Sequence, residues 1–530
     1  MTKHDSQPTL RAFAFAFAAL TAVVLASTAT MLLPIQSAQA QASGWSQPLQ
    51  IAPENISSWF PDVKVDSSGL AHVVFAGSGV ETGSDQYYDM VKYVALRDGQ
   101  IVNPAVDIMA TEATSTGSYA ARPRLWPGRN GIMNMTWRDI EGVKFTQAPV
   151  TKAGVPIAWT DSKLISEGYF SQIVEDSRSR LHLLVTENVV TAECMNCFHL
   201  YYYQSDNDGE SWTPQKDISV LTTGAAKPDI AIDVNNNLYV VWEMGPGGDL
   251  GQLSRPSKIA YAASYDRGET WTTPTTFVPG GANTEARQPS IIIDGRGNLL
   301  MTWMGVTDPG FYYQVSSDQG KNWSSPQRIP AIFNAFDIYD NRLDGQSMAQ
   351  DSAGTVHLAV VGRTLQDQKT LNLLRLEWNG AAWSAPDVVA TIDPAQTGDV
   401  PQWPRIAVGL GNQLHMVWYL RRGALKQELA DNPPPYEIFY TTARSNAQAL
   451  PPQPVPEVRP TATPKGRILP QIVPTDMISL TQAERGLPNS DITLTRLQSE
   501  NDGYVRLGLS LVPALAIIIG VILFTRFKRR

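Results

Sequence analysis

Cysteine is nearly missing from this chain: its 530 residues hold only Cys194 and Cys197. That excludes a disulfide scaffold. A zinc site would need four ligands, and only His199 is close by. Charge is sparse as well. Charged residues make up 17%, and a net charge of −8 leaves no broad basic face of the kind nucleic acid requires. No cofactor motif stands out, so neither a cofactor nor a metal is expected. Aromatics are plentiful instead. With 14 Trp and 18 Tyr beside so few charges, the composition leans toward an all-β body.

Long apolar runs stand at the two ends. Lys3 and Arg11 lead into a run from Ala12 to Ile35 that closes on Ala38-Gln39-Ala40, a small-x-small cleavage site. This predicts a secretory signal peptide over residues 1–40, with an uncleaved anchor helix as the alternative. Near the other end, Leu507 to Thr525 would span roughly 28 Å as a helix, about one hydrocarbon core. A transmembrane helix is expected over 506–526. Arg526, Lys528, Arg529 and Arg530 put the tail, 527–530, in the cytoplasm. The predicted protein is exported and held at the cell membrane by one C-terminal helix. Residues 447–505 read as a stalk. Eight prolines fall between Pro451 and Pro474, and such a segment is stiff, extended and poor at packing.

Residues 41–446 repeat one unit seven times. A turn column holds Asp66, Gly128, Asp176, Asp233, Asp294, Asp351 and Gly409. Five positions earlier stand Pro61, Pro123, Ser171, Pro228, Pro289, Gln346 and Pro404. Nine positions later stand Phe75, Trp137, Val185, Trp242, Trp303, Val360 and Trp418. Each unit reads as four strands. The first follows the proline, where a missing N–H costs little. A type I turn follows, then an alternating second strand, an aromatic third strand, and a fourth after Trp-Ser/Thr-x-Pro. The seventh unit lacks a fourth strand, while the mature N-terminus begins with the orphan signature Trp45-Ser46-x-Pro48. The expected fold is an all-β, seven-bladed β-propeller of four-stranded blades, its last blade closed by the N-terminal strand so that no sheet edge is left open.

The link between third and fourth strands recurs as Ser264-x-Asp266-x-Gly268-x-x-Trp271 and as Ser316, Asp318, Gly320 and Trp323. A third copy has Ser205, Asn207, Gly209 and Trp212, and a faded one runs from Trp378 to Trp383. Asp can accept from turn N–H groups, Gly can supply a positive φ, and Trp can bury a ring between sheets. The segment resembles the Asp-box, or bacterial neuraminidase repeat, of the sialidase-like superfamily, over residues 45–446. Repetition in several blades marks it as architecture.

Two further features read as structural. His72, His182, His357 and His415 all fall six residues after the turn column, one per blade, which is packing rather than a metal site. In an exported chain, Cys194 and Cys197 are expected to form a local disulfide in the third blade.

Ligands should meet the rim that holds the second-to-third-strand loops and the loops leading into each blade. The sequence places Trp59, Arg122, Arg138, Arg287, Asp308, Arg363, Trp403, Arg421 and Arg422 there. The first reading is a non-catalytic recognition module for a glycan or an exported protein partner. The resemblance implies an alternative, an exo-α-sialidase or related glycosidase, in which an arginine cluster holds a carboxylate and a tyrosine nucleophile works with Glu and Asp. Tyr339, Tyr419, Glu243 and Asp139 are the candidates for that chemistry. The pattern departs from such enzymes. The only Arg-Ile-Pro is Arg328-Ile329-Pro330, on a fourth strand, and the units number seven where those enzymes have six blades.

Overall fold

The computed structural model describes residues 44–458, apart from 54–55, 81–86, 113–121, 190–196, 221–223, 246–257, 278–284, 336–344 and 424–435. The described strands form seven four-stranded antiparallel sheets, each in simple meander order. Neighbouring first strands touch all round the ring, including blade 7 (Val400–Gly409) against blade 1 (Ser57–Val65). Closure follows the expected route. Leu49–Gln50 pairs with Tyr436–Arg444, with Leu49 opposite Tyr440 and Gln50 opposite Phe439. Trp45 is buried, and its Nε1 donates to Asp387 Oδ2 of blade 6 at 2.8 Å.

In blade 2 the first strand, Arg124–Pro127, follows Pro123 as expected, but the other four repeated prolines do something other than start a strand. In blades 1, 4, 5 and 7 the first strand begins before the proline, and the pairing register slips across it: Trp59/Asp62, Ala226/Asp229, Arg287/Ser290 and Gln402/Arg405. A proline has no N–H for the ladder, so a bulge absorbs it. The residue before each proline then takes a left-handed φ: Phe60 at 52°, Lys227 at 47°, Gln288 at 52° and Trp403 at 56°. Gly345 holds the same place in blade 6, at 57°.

Repeated residues seal blade to blade. Ser264 Oγ donates to Asp266 Oδ1 and accepts from Gly268 N, while Asp266 Oδ1 accepts from Thr270 N. The hairpins at Ser316 and Ser205 make the same set. Each hairpin's tryptophan meets a third-strand ring of the preceding blade: Trp212 on Phe145, Trp271 on Tyr202, Trp323 on Tyr261 and Trp383 on Tyr313, with centroids 5.0–5.8 Å apart. A Cβ on Gly268 would overlap Tyr202 Oη, so this glycine meets both a φ of 91° and a close approach. In the turn column, Asp66, Asp176, Asp233, Asp294 and Asp351 each accept two turn N–H groups through Oδ1. Three of the repeated histidines, six residues after the turn column, are bonded to third-strand tyrosines: His72 with Tyr93, His182 with Tyr202 and His415 with Tyr440, at 2.6–2.7 Å.

The proline-rich segment starts on the ring. Ser352 Oγ donates to Gln448 O, Leu450 N to Leu410 O, and Gln453 N to Ser67 O, at 2.6–2.7 Å. Residues 448–453 thus cross the first-to-second-strand turns of blades 6, 7 and 1. Among the described residues no helix is long and apolar enough to cross a membrane. The two terminal apolar runs, most of the stalk and Cys194 lie outside the described residues, and the side chain of Cys197 is not described.

Candidate functional site: the channel mouth

The first strands enclose a central channel of about 400 Å³. The position after each repeated proline faces it: Asp62, Arg124, Gln172, Asp229, Ser290, Ser347 and Arg405. Some of these groups clasp the next blade. Asp62 Oδ2 accepts from Leu125 N at 2.9 Å, Asp229 Oδ2 from Ile291 N at 3.0 Å, and Ser347 Oγ from Ile406 N at 3.2 Å.

The pre-proline column crowns the channel. Phe170, Lys227, Gln288, Gly345 and Trp403 line the mouth above Arg124 and Arg405. Phe60 and Arg122 join through ring contacts, completing one position per blade. The four bulges, in blades 1, 4, 5 and 7, would ordinarily use glycine at a left-handed φ; side chains there cost backbone energy and are held by their surroundings.

Blades 7, 1, 2 and 3 assemble an arc of alternating guanidinium and aromatic groups. Arg405 and Arg124 lie over the Trp403 ring, at 4.7 and 5.3 Å from its centroid. Trp403 meets Phe60 edge-on at 5.1 Å. Arg122 is boxed by Phe60, Tyr169 and Phe170 at 4.3–4.9 Å, and Arg138 covers Tyr169 at 4.4 Å. Tyr436 links the rest, with Trp59 edge-on, Tyr419 stacked and Arg421 above it at 5.7 Å. The structure therefore brings Trp59, Arg122, Arg138, Trp403, Tyr419 and Arg421 into one connected cluster, in which Trp59, Arg122, Trp403 and Tyr419 are themselves buried.

The other sequence-predicted residues are engaged elsewhere. Arg363 is fully buried and donates to the Asn334 and Gln366 carbonyls. Asp308 accepts from the Tyr312 hydroxyl and pairs with Arg328. Arg422 pairs with Asp399 and Glu437. Arg287 is buried at the head of blade 5's first strand. Asp139 pairs with Lys144 and accepts from Glu141 N. Glu243, 1% exposed, accepts from Gln288 N at 2.7 Å and stands 3.4 Å from Lys227 Nζ, so it steadies a bulge. The Tyr419 hydroxyl donates to Gln402 Oε1 at 3.0 Å, and its ring is covered by Phe60 and Tyr436. Tyr339 lies outside the described residues. Sequence reasoning missed Phe60, Arg124, Tyr169, Phe170, Gly345, Arg405 and Tyr436. A signal existed for most of them: they flank the repeated proline column.

No protein-family model matches the chain, and no curated protein matches it. Solved structures do resemble it. A protein of unknown function from Dyadobacter fermentans is 10% identical, covering 76% of this chain and 100% of its own, with a TM-score of 0.42. An ulvan lyase of a polysaccharide lyase family is 9% identical, over 74% of this chain and 95% of its own, with a TM-score of 0.49. The NanB sialidase of Streptococcus pneumoniae is 10% identical, over 76% and 99%, with a TM-score of 0.41. None of these likenesses bears on activity.

Proposed function

We propose that this chain is an exported, membrane-tethered propeller that recognises a glycan or an exported protein partner at its channel mouth, without chemistry of its own. The observation that carries the reading is the pre-proline column. Strained backbone is retained in four blades at the one position that turns a different side chain to the same opening. Aromatic faces suit sugar rings, and guanidinium edges suit acidic or hydroxyl oxygens. The glycosidase reading is less supported, because Tyr419, Glu243 and Asp139 are each engaged in holding neighbouring structure.

Gly345 supplies a test. It leaves the mouth open beside Trp403, and a Cβ there meets that ring at an ordinary 3.6 Å. Gln288 shows that glutamine tolerates the same backbone conformation one blade away. Gly345→Gln should fold at a cost of about 1 kcal/mol and weaken binding of the full chain to its preferred glycan or partner at least tenfold by array or pull-down. A fluorogenic sialoside should not be hydrolysed. Unchanged binding in Gly345→Gln, or sialoside hydrolysis lost in Tyr419→Phe, would sink the reading.

A further inference from the structure

Two guanidinium groups share the upper channel, and no carboxylate among the described residues lies in ion-pair contact with either. Arg124 is only 6% exposed. Its one side-chain hydrogen bond among the described residues runs from Nη1 to Pro123 O at 3.4 Å, and that of Arg405 from Nη1 to Gln346 O at 3.3 Å. The Nε atoms of both are buried and unpartnered. Both guanidinium carbons lie within 5.3 Å of the Trp403 ring centroid. Stacking on a ring uses the guanidinium face and leaves its edge donors for a ligand.

The nearby carboxylates do not pair with them. Asp62 accepts from Leu125 N, and Asp229 accepts from Ser290 Oγ and Ile291 N. Neither forms an ion pair among the described residues. Burial, and then the neighbouring charge of Arg405, push Arg124 down to about 9, although Asp62 and Asp229 act the other way. A buried guanidinium is ordinarily hydrogen-bonded to a partner along its edge, since burial strips it of water. The channel has room for a compact ion against the unused guanidinium edges.

We infer that the upper channel is a binding site for one compact oxyanion, held on the guanidinium edges of Arg124 and Arg405 beside Trp403. Sulfate, phosphate and carboxylate share the required chemistry, because each offers paired oxygens to the planar fork of an arginine. The anion is either a free ion or an acidic group carried by a larger ligand. The site lies below the pre-proline column and does not depend on that column binding a glycan.

Thermal unfolding of the full chain tests this in sodium sulfate against sodium chloride at equal ionic strength. A third arm uses a sulfated or uronate oligosaccharide, and a fourth a neutral one of equal length. A saturable rise in midpoint is expected in sulfate, about 3 °C at a hundred times the dissociation constant. It should vanish in the Arg124→Gln, Arg405→Gln double variant, which separates it from sulfate's general stabilising effect. A rise confined to the acidic oligosaccharide would assign the anion to a ligand. If no acidic arm exceeds chloride, or the double variant responds like the parent, the inference is overturned. Should the double variant fail to fold, selenate soaked into crystals of the parent must give an anomalous peak between the two guanidinium groups, and a channel without one overturns it equally. Binding of the neutral oligosaccharide alone would leave the recognition reading standing while this site falls.

Discussion

The two ends of the channel are built on opposite principles. At the turn end the same residues recur blade after blade, and the turn aspartates and hairpin serines find their partners within their own turns. Asp66, Asp176, Asp233, Asp294 and Asp351 each hold two turn N–H groups, and every hairpin tryptophan covers a ring of the blade before it. At the mouth the column runs Phe60, Arg122, Phe170, Lys227, Gln288, Gly345, Trp403, no two adjacent blades alike. Guanidinium nitrogens below it lack partners. Repetition marks the residues that hold a ring together. Variety around unpaired guanidinium groups marks where something else is meant to arrive.

Breaking the repeated end should have the largest effect. Gly268→Ala must overlap Tyr202 Oη and adopt a φ of 91°, a loss of about 3 kcal/mol. Gly297, at 80° with nothing within 4 Å, isolates the backbone effect, and Gly297→Ala should lose only about 1 kcal/mol. Urea midpoints of the two variants will show whether the gap between blades is as tight as it looks. Equal losses would refute the packing account.

Acid should also strike the turn end first. Burial holds the His415 imidazole down to about 4, against an ordinary 6.5. His182 and His357 are lowered for the same reason, burial outweighing the pull of Asp176 and Asp351. The unfolded chain takes up protons from pH 6.5 downward while the ring resists them. Stability is therefore full above that pH and declines as pH falls toward 4. His415 alone accounts for about 3 kcal/mol at the lower end. Denaturant melts at pH 7.5 and 4.5 should differ by at least that much, and a flat profile would mean that these histidines are reached by water. The smallest effect belongs to the channel clasps. Ser347→Ala leaves Ile406 N without its acceptor and should cost about 1 kcal/mol, with no change at the mouth.

The repeat made the ring readable in advance: blade number, the role of Trp45 and the hairpins all follow from columns of like residues. The bulge was not readable. A proline in a strand says that one ladder bond is missing but does not say on which side the register slips. Arg124 and Arg405 were hidden for a related reason, since they sit inside strands, where alternation marks a residue as wall rather than ligand contact. Asp308 and Arg363 follow second strands, yet both are already engaged, Asp308 by Arg328 and Arg363 by the Asn334 carbonyl. Only coordinates reveal which charged loop residues are already taken.

The segment from Gln448 to Gln453 decides how the ring bears a pull from its C-terminal side. Tension along the chain does not fall directly on the last strand, Tyr436–Arg444. It is first shared among the turns of blades 1, 7 and 6, through Ser67, Leu410 and Ser352. A load applied there works in shear across several blades, away from the open mouth, so the ring can be pulled from that side without its seam opening.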